Sequence, residues 1–203
     1  QVCEDLPAWV KKVTPGGFLC IRFSDTRISE AGNTEPEIRL QGHRFQEALR
    51  PVNTRLRDII VLDKAGKIGS KVQDPFKDGM KHTAYRHITN FENIFVFKKD
   101  GERGIPDDLE MKARLSQEEW KACGPAVWRI TSTKANEGQN DTLIEEVSQR
   151  LIKMYSYPGD IIVDTATGTG TTLDVAKRLG RRAYGYEKDP KYMDAILKRT
   201  GFI

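Results

Sequence analysis

The 203 residues hold little that would bind a metal or build a disulfide framework. Cysteines number three, Cys3, Cys20 and Cys123, scattered and without a Cys-x-x-Cys pair. That pattern predicts buried free thiols in a reducing cytoplasm and indicates neither zinc nor a bridge. The three histidines, His43, His82 and His87, show no metal-ligand spacing, so no metal site is expected. No apolar run nears the roughly 20 residues of a membrane span, and no signal peptide opens the chain. The expectation is a cytoplasmic protein without a membrane partner. Repeats and low-complexity tracts are absent as well. The charge excess is only +4, which permits nucleic-acid binding without demanding it. A chain of this length makes one domain, or one with an insertion, and has enough residues for a core.

What the sequence does have is concentrated near its C-terminal end. Ile161-Ile-Val-Asp164 reads as a buried strand ending at a polar edge. Gly168 and Gly170 then permit a tight turn and a close backbone approach to a ligand. Thr171-Thr172 open an amphipathic run with Leu173, Ala176 and Leu179 at helical spacing, and Gly180 ends it. Arg181 to Glu187 forms a second short strand with Glu187 at its end, where a carboxylate accepts both hydroxyls of a ribose. A lone Gly-x-Gly is also a plain structural turn. Asp164 before it and Glu187 after the helix favour a nucleotide-type cofactor in a doubly wound α/β sheet. No Lys follows the glycines as in a Walker loop, which argues against a nucleoside triphosphate.

Asp164 to Thr172, with Ala176-Lys-Arg-Leu-Gly-Arg-Arg182 and Tyr184-Gly-Tyr-Glu-Lys-Asp-Pro-Lys-Tyr192, resembles the S-adenosylmethionine-binding segment of the DNA amino-methyltransferases, in the permuted order. The family pattern is Asp-Pro-Phe-x-Gly-Ser-Gly-Thr-Thr. This chain keeps the Asp, both Gly and both Thr, with Thr165-Ala166 in place of Pro-Phe and Thr169 in place of Ser. The resemblance implies a Rossmann-like sheet with a terminal β-hairpin, a cofactor of S-adenosylmethionine, and methyl transfer to adenine N6 or cytosine N4 of duplex DNA with the target base flipped out. It assigns Asp164, Thr165, Ala166, Thr167, Gly168, Thr169, Gly170, Thr171, Thr172 and Glu187 to the cofactor. It adds Gln139 and Asn140, which stand where family members carry a His-Pro pair.

The N-terminal part fits the same family. A helical stretch around Trp9, the turn Thr14-Pro-Gly-Gly17 and the strand Phe18–Phe23 follow, in the family, directly after a catalytic [Asp/Asn/Ser]-Pro-Pro-[Tyr/Trp] tetrapeptide. No Pro-Pro pair occurs in this sequence. The catalytic residues are therefore unknown here, and the tetrapeptide is expected before Gln1 or from a second subunit, hetero- or homodimeric. Asp25 at the strand end either reaches the cofactor's amino group or caps a turn. Helix is expected over 42–50, and Leu56–Leu62 pairs with Asn93–Lys98 as a hairpin.

Between those strands lies a Gly- and Lys-rich arm. Lys64, Lys67, Lys71, Lys77 and Lys81 give it the character of a phosphate-contacting element; a solvated loop is the alternative. Arg86, Asn90 and Glu92 follow in a family-like pattern. The expected organisation is a single domain: catalytic-side strands in 1–62 and 86–99, the arm in 63–85, a short target-recognition-like insertion in 100–135, and the cofactor half in 136–203. In the insertion Ser116 and Glu119 predict a capping box. Trp120 and Trp128 are either base-stacking platforms or, preferably, core aromatics. A helix is expected over 141–155 with Leu143, Val147, Leu151 and Met154 inward. Two other readings remain: a methyltransferase-like subunit without chemistry, and an RNA methyltransferase.

Overall fold

The computed structural model describes residues 2–28, 37–63, 91–130 and 142–201. Helix α1 (Val2–Lys12) leads through the Pro-Gly-Gly turn into strand β1 (Phe18–Phe23), and a short ribbon of β2 (Thr26–Ile28) and β3 (Glu37–Arg39) precedes α2 (Gln41–Leu49). Strands β4 (Thr54–Asp63) and β5 (Phe91–Lys99) then pair antiparallel, Leu62 opposite Glu92 and Leu56 opposite Phe97. The expected hairpin strands are therefore present, each longer than the sequence suggested. After α3 (Asp107–Ala113) and α4 (Gln117–Cys123), the short β6 (Val127–Arg129) adds in parallel to β4. The main sheet has the order β1-β5-β4-β6.

Strand β5 lies inside this sheet, and its run Ile94-Phe-Val-Phe97 reflects that position. Ile94 and Val96 face one layer, and Phe95 and Phe97 face the other. On the second face α1 and α2 bury Leu6, Val10, Phe45 and Leu49 against the two phenylalanines. Phe23 adds edge-on ring contacts to Phe45 and Phe95, with centroids 5.0 Å and 4.9 Å away. Lys99 closes α1 by donating to the carbonyls of Val10 and Val13, a cation at the negative end of a helix.

Helix α5 (Thr142–Tyr155) covers the other face and links it to the C-terminal half. Val147, Leu151, Met154 and Tyr155 pack with Ile60, Leu62, Ile94 and Val96. From the same helix Ile152 joins Val175 and Ala176 of α6 (Thr171–Arg178). Trp128 is a core aromatic at 1% exposure, its indole donating to the Cys123 carbonyl at 3.0 Å. Trp120, at 58%, departs from the core expectation. Its helix has two turns and buries only Cys123, which leaves Trp120 outside. The capping box of that helix is formed as expected, Ser116 and Glu119 exchanging both bonds. Burial, then the nearby Asp58, pushes the Cys20 thiol up to about 12, so it is an inert packing residue.

A second, two-stranded parallel sheet joins β7 (Ile161–Asp164) and β8 (Arg182–Gly185), and α7 (Met193–Thr200) follows. Ile162 and Ala183 pack on α5 and α6. The opposite face is uncovered among the described residues: Ile161 is 50% exposed and Val163 55%, with Tyr184 and Tyr186 exposed beside them. The buried strand expected over 161–164 is thus buried on one face only, because no element of the described residues packs on the other.

The start of β7 is tied to the chain after β5. Arg103 donates to both oxygens of Asp160, at 2.8 Å and 2.6 Å, and the Tyr157 N–H adds a third bond. Burial alone would raise the Asp160 carboxyl, but these bonds hold it below its ordinary value. Its contribution to stability is therefore present above the unfolded carboxyl value of about 3.9 and lost as pH falls through the lower folded one. Asp160→Asn is expected to lower unfolding free energy by about 2–3 kcal/mol at pH 7. In urea titrations at a series of pH values, the gap to wild type closes below about pH 4.

Candidate functional site

The C-terminal end of β7 is where the chain must turn back for a parallel crossover, and hydrogen bonds hold that turn at Ala166, Thr167, Gly168 and Gly170. Asp164 Oδ1 accepts the Ala166 N–H at 3.0 Å, and its main-chain carbonyl accepts the Thr167 hydroxyl at 3.1 Å. That carbonyl also takes the Tyr186 N–H, while Thr167 donates its own N–H to the Tyr186 carbonyl. Gly168 and Gly170 have φ of 56° and 84°, the left-handed region where a side chain costs about 1–2 kcal/mol. The Gly170 N–H closes the turn on the Thr167 carbonyl. The glycines therefore make the tight turn that the sequence suggested.

Their surroundings differ. A Cβ at Gly168 would meet no heavy atom within 4 Å among the described residues, apart from its chain neighbours. A Cβ at Gly170 would lie 3.4 Å from the Ile196 Cα of α7. Gly168 faces the open side of the turn and Gly170 the packed side.

Glu187 lies two residues beyond the end of β8 rather than at it. Its Oε2 accepts the Gly168 N–H at 2.6 Å and its Oε1 the Asp189 N–H at 2.9 Å. These main-chain donors, from Asp189 first and Gly168 second, hold the carboxyl below its ordinary range. An ionised carboxylate offers about four acceptor positions, so each oxygen retains capacity for a ligand hydroxyl. Thr165 and Ala166 are exposed beside the turn, where the resemblance would place Pro-Phe. A nucleoside ligand fits this donor and acceptor set: an open glycine backbone and an ionised carboxylate fixed beside it.

The threonines at the helix start face other elements. Thr172 pairs its hydroxyl with Ser148 of α5 at 3.2 Å. Thr169 and Thr171 both accept from Arg199 of α7. Neither Ser148 nor Arg199 carries a local sequence signal, because each meets the turn only through tertiary packing. Asp25 sits at the N-terminus of α2, where its Oδ1 accepts the Gln41 N–H at 2.8 Å, one of the donors a helix start leaves unpaired. This is a cap, though on α2 rather than on the turn beside Thr26. Gln139 and Asn140, the basic residues Lys64, Lys67, Lys71, Lys77, Lys81 and Arg86, and Asn90 lie outside the described residues. Glu92 is held by Arg22 at 2.5 Å.

A cleft of about 430 Å³ opens between α4 and α5. Its charges are already matched, Lys153 with Glu119 and Arg150 with Glu146. None of the expected cofactor residues lines it, so volume does not identify the site here.

Comparison with known proteins gives the family and the fold. A family model described as DNA methylase matches residues 4–198. The type II methyltransferase M.BglI of Bacillus subtilis is 29% identical over 171 residues, which is 83% of this chain and 45% of that protein. The type II methyltransferase M.MjaI of Methanocaldococcus jannaschii is 32% identical over 116 residues, covering 54% of this chain and 38% of that protein. The chain thus spans less than half the length of either relative. Among solved structures, a Thermus thermophilus protein assigned as a DNA modification methylase and complexed with S-adenosyl-L-methionine aligns over 98% of this chain and 74% of its own. Its TM-score is 0.75 at 24% identity. The cytosine-N4-specific PvuII DNA methyltransferase aligns over 96% of this chain and 67% of its own, with a TM-score of 0.66 at 18% identity. These likenesses establish the methyltransferase fold, Rossmann-like and mixed α/β.

The turn depends on a glycine outside it. A Cβ at Gly185 would stand 2.3 Å from the Thr167 hydroxyl and 2.7 Å from Leu173. Gly185→Ala is expected to destabilise by about 1–3 kcal/mol through overpacking. Gly168→Ala, with open space at its Cβ, should cost only the left-handed strain of about 1–2 kcal/mol. Urea unfolding with a near-ultraviolet signal separates the two, and the loss of tertiary signal should accompany Gly185→Ala alone.

Proposed function

Because the chain belongs to the DNA methylase family of N6 and N4 amino-methyltransferases, we propose that it binds S-adenosylmethionine at the β7–α6 turn and serves methyl transfer to an exocyclic amino group of adenine or cytosine in duplex DNA. The observation that carries this reading is the fixed pair of Gly168 and Glu187. The open glycine backbone accepts a ligand at van der Waals distance. The Glu187 carboxylate, already ionised and held by two main-chain donors, accepts the ribose hydroxyls without reorganising. Asp164 stiffens the turn through its Ala166 bond, Thr165 and Ala166 would line the cofactor beside it, and Asp25, whose Oδ1 caps α2, would reach it with its other oxygen. Gln139 and Asn140 would close over its methionine part.

When bound, the cofactor supplies an activated methyl group on a sulfonium. The protein must align donor and acceptor and accept the amino hydrogens as the nitrogen lone pair leaves conjugation. It must also hold the target base outside the duplex. The basic arm from Lys64 to Lys81, with Arg86, would neutralise phosphates on that duplex. The Pro-Pro tetrapeptide that accepts the amino hydrogens in the resembled family is not found in these 203 residues. We place it on a further segment of the protein or on a partner subunit.

Calorimetry with S-adenosylmethionine tests the site. Glu187→Ala should weaken binding by about tenfold or more, through lost charge-assisted bonds and a loosened turn. Glu187→Gln should do nearly as badly, because its amide would set a donor against one of the two main-chain N–H groups. Wild-type affinity in both variants would remove Glu187 from the cofactor site.

A further inference from the structure

The turn that carries the candidate site is held from its packed side by a helix to which the functional reading gives no role. Helix α7 comes against the turn at Gly170, whose absent side chain lets Ile196 and Thr200 approach. On the same helix Arg199 Nη1 donates to the Thr169 hydroxyl at 3.2 Å and also to the Thr171 hydroxyl. Those two hydroxyls are 3.3 Å apart, so one guanidinium spans both ends of the second glycine. Lys177 of α6 returns the connection by donating to the Thr200 carbonyl at 2.8 Å. Thr171 and Thr200 are buried polar residues, at 5% and 2% exposure.

Glycines let the chain adopt this turn but do not hold it there, because a residue without Cβ has the most backbone freedom to lose. Fixation must come from neighbours. Glu187 supplies it on the open side through the Gly168 N–H, and Arg199 supplies it on the packed side. Bonds from a charged donor are about twice as strong as neutral ones, and the planar guanidinium loses less freedom in making two of them than a lysine would.

We propose that Arg199 is a positioning residue for the cofactor turn: through the Thr169 and Thr171 hydroxyls it holds residues 167–171 in the shape that receives the adenosyl ligand, without touching the ligand itself. This rests on the reading of the turn as an S-adenosylmethionine site. Arg199 meets the turn from α7, which packs at Gly170, whereas the space at Gly168 is open.

The test follows two readouts on the 203-residue chain, amide hydrogen exchange without ligand and calorimetry with S-adenosylmethionine. In Arg199→Met, exchange at Gly168 to Thr171 should rise about tenfold or more, while the amides of β5 stay unchanged. Affinity should fall about tenfold, and Arg199→Lys should recover part of both effects. The double variant Thr169→Val, Thr171→Val should lose affinity to a similar degree. Adding Arg199→Met to it should cost little more, because the residues act as one unit. Unchanged exchange in Arg199→Met, or losses that multiply between the arginine and the threonines, overturns the proposal. Failure of the wild-type chain to bind the cofactor would sink the functional reading alone, since the exchange measurement still decides whether Arg199 holds the turn.

Discussion

Two parallel strands cannot be joined by a hairpin; the chain must leave one, cross over through a helix and return. At the end of β7 this requires a turn that reverses direction within a few residues and starts α6 at once. Only left-handed backbone does so here, at Gly168 and Gly170. The rest of the C-terminal half is arranged around that turn. The Tyr186 carbonyl takes the Thr167 N–H while its own N–H goes to the Asp164 carbonyl, Glu187 holds the open side of the turn, and Gly185 is bare so that Thr167 and Leu173 fit. The proposed nucleoside site rests on the same constraint. The bonds that make the crossover possible also leave an open glycine next to an ionised carboxylate.

The half that carries the turn is anchored to the antiparallel sheet by α5. One side of this helix fills the core beneath Ile94 and Val96, and Ile152 fills the core beneath α6. At its end Tyr155 packs on Phe18, with ring centroids 5.1 Å apart, and donates to Asp58. Arg181 then fixes the entry to β8. It is buried and donates to the Ser156 carbonyl and hydroxyl and to the Leu179 carbonyl. Burial lowers the Arg181 value, a cost offset by these three acceptors. With the Arg103–Asp160 pair, these contacts set the position of the turn relative to the N-terminal sheet.

Much of this was legible in the residues, for physical reasons that differ by element. The β7–turn–α6 unit could be read because its glycines, strand run and helical stripe are consecutive. The hairpin of β4 and β5 could be read because alternation and branched residues mark both strands. The capping box at Ser116 needed only a three-residue pattern. Tertiary context decided what could not be read. Nothing local tells that the second face of β7 is uncovered among the described residues, that Trp120 lies outside while Trp128 lies inside, or that β6 joins β4 in parallel with three residues. The sequence marks Glu187 as a candidate, but its bond to the Gly168 N–H depends on the turn coming back to β8. Arg199 and Ser148 carry no pattern at all, since their partners are 28 and 24 positions away in sequence.

In the proposed function these residues bind the methyl donor while the acceptor of the amino hydrogens comes from elsewhere. The most direct measurement incubates the purified monomeric chain with duplex DNA and S-adenosylmethionine labelled in its methyl group, and counts label in the amino nitrogens of the bases. The expected result is cofactor binding with no incorporation, and incorporation once a segment or subunit carrying [Asp/Asn/Ser]-Pro-Pro-aromatic is supplied. Steady incorporation by the chain alone would contradict it, because the acceptor would then lie among these 203 residues, with Asp25 the first to examine.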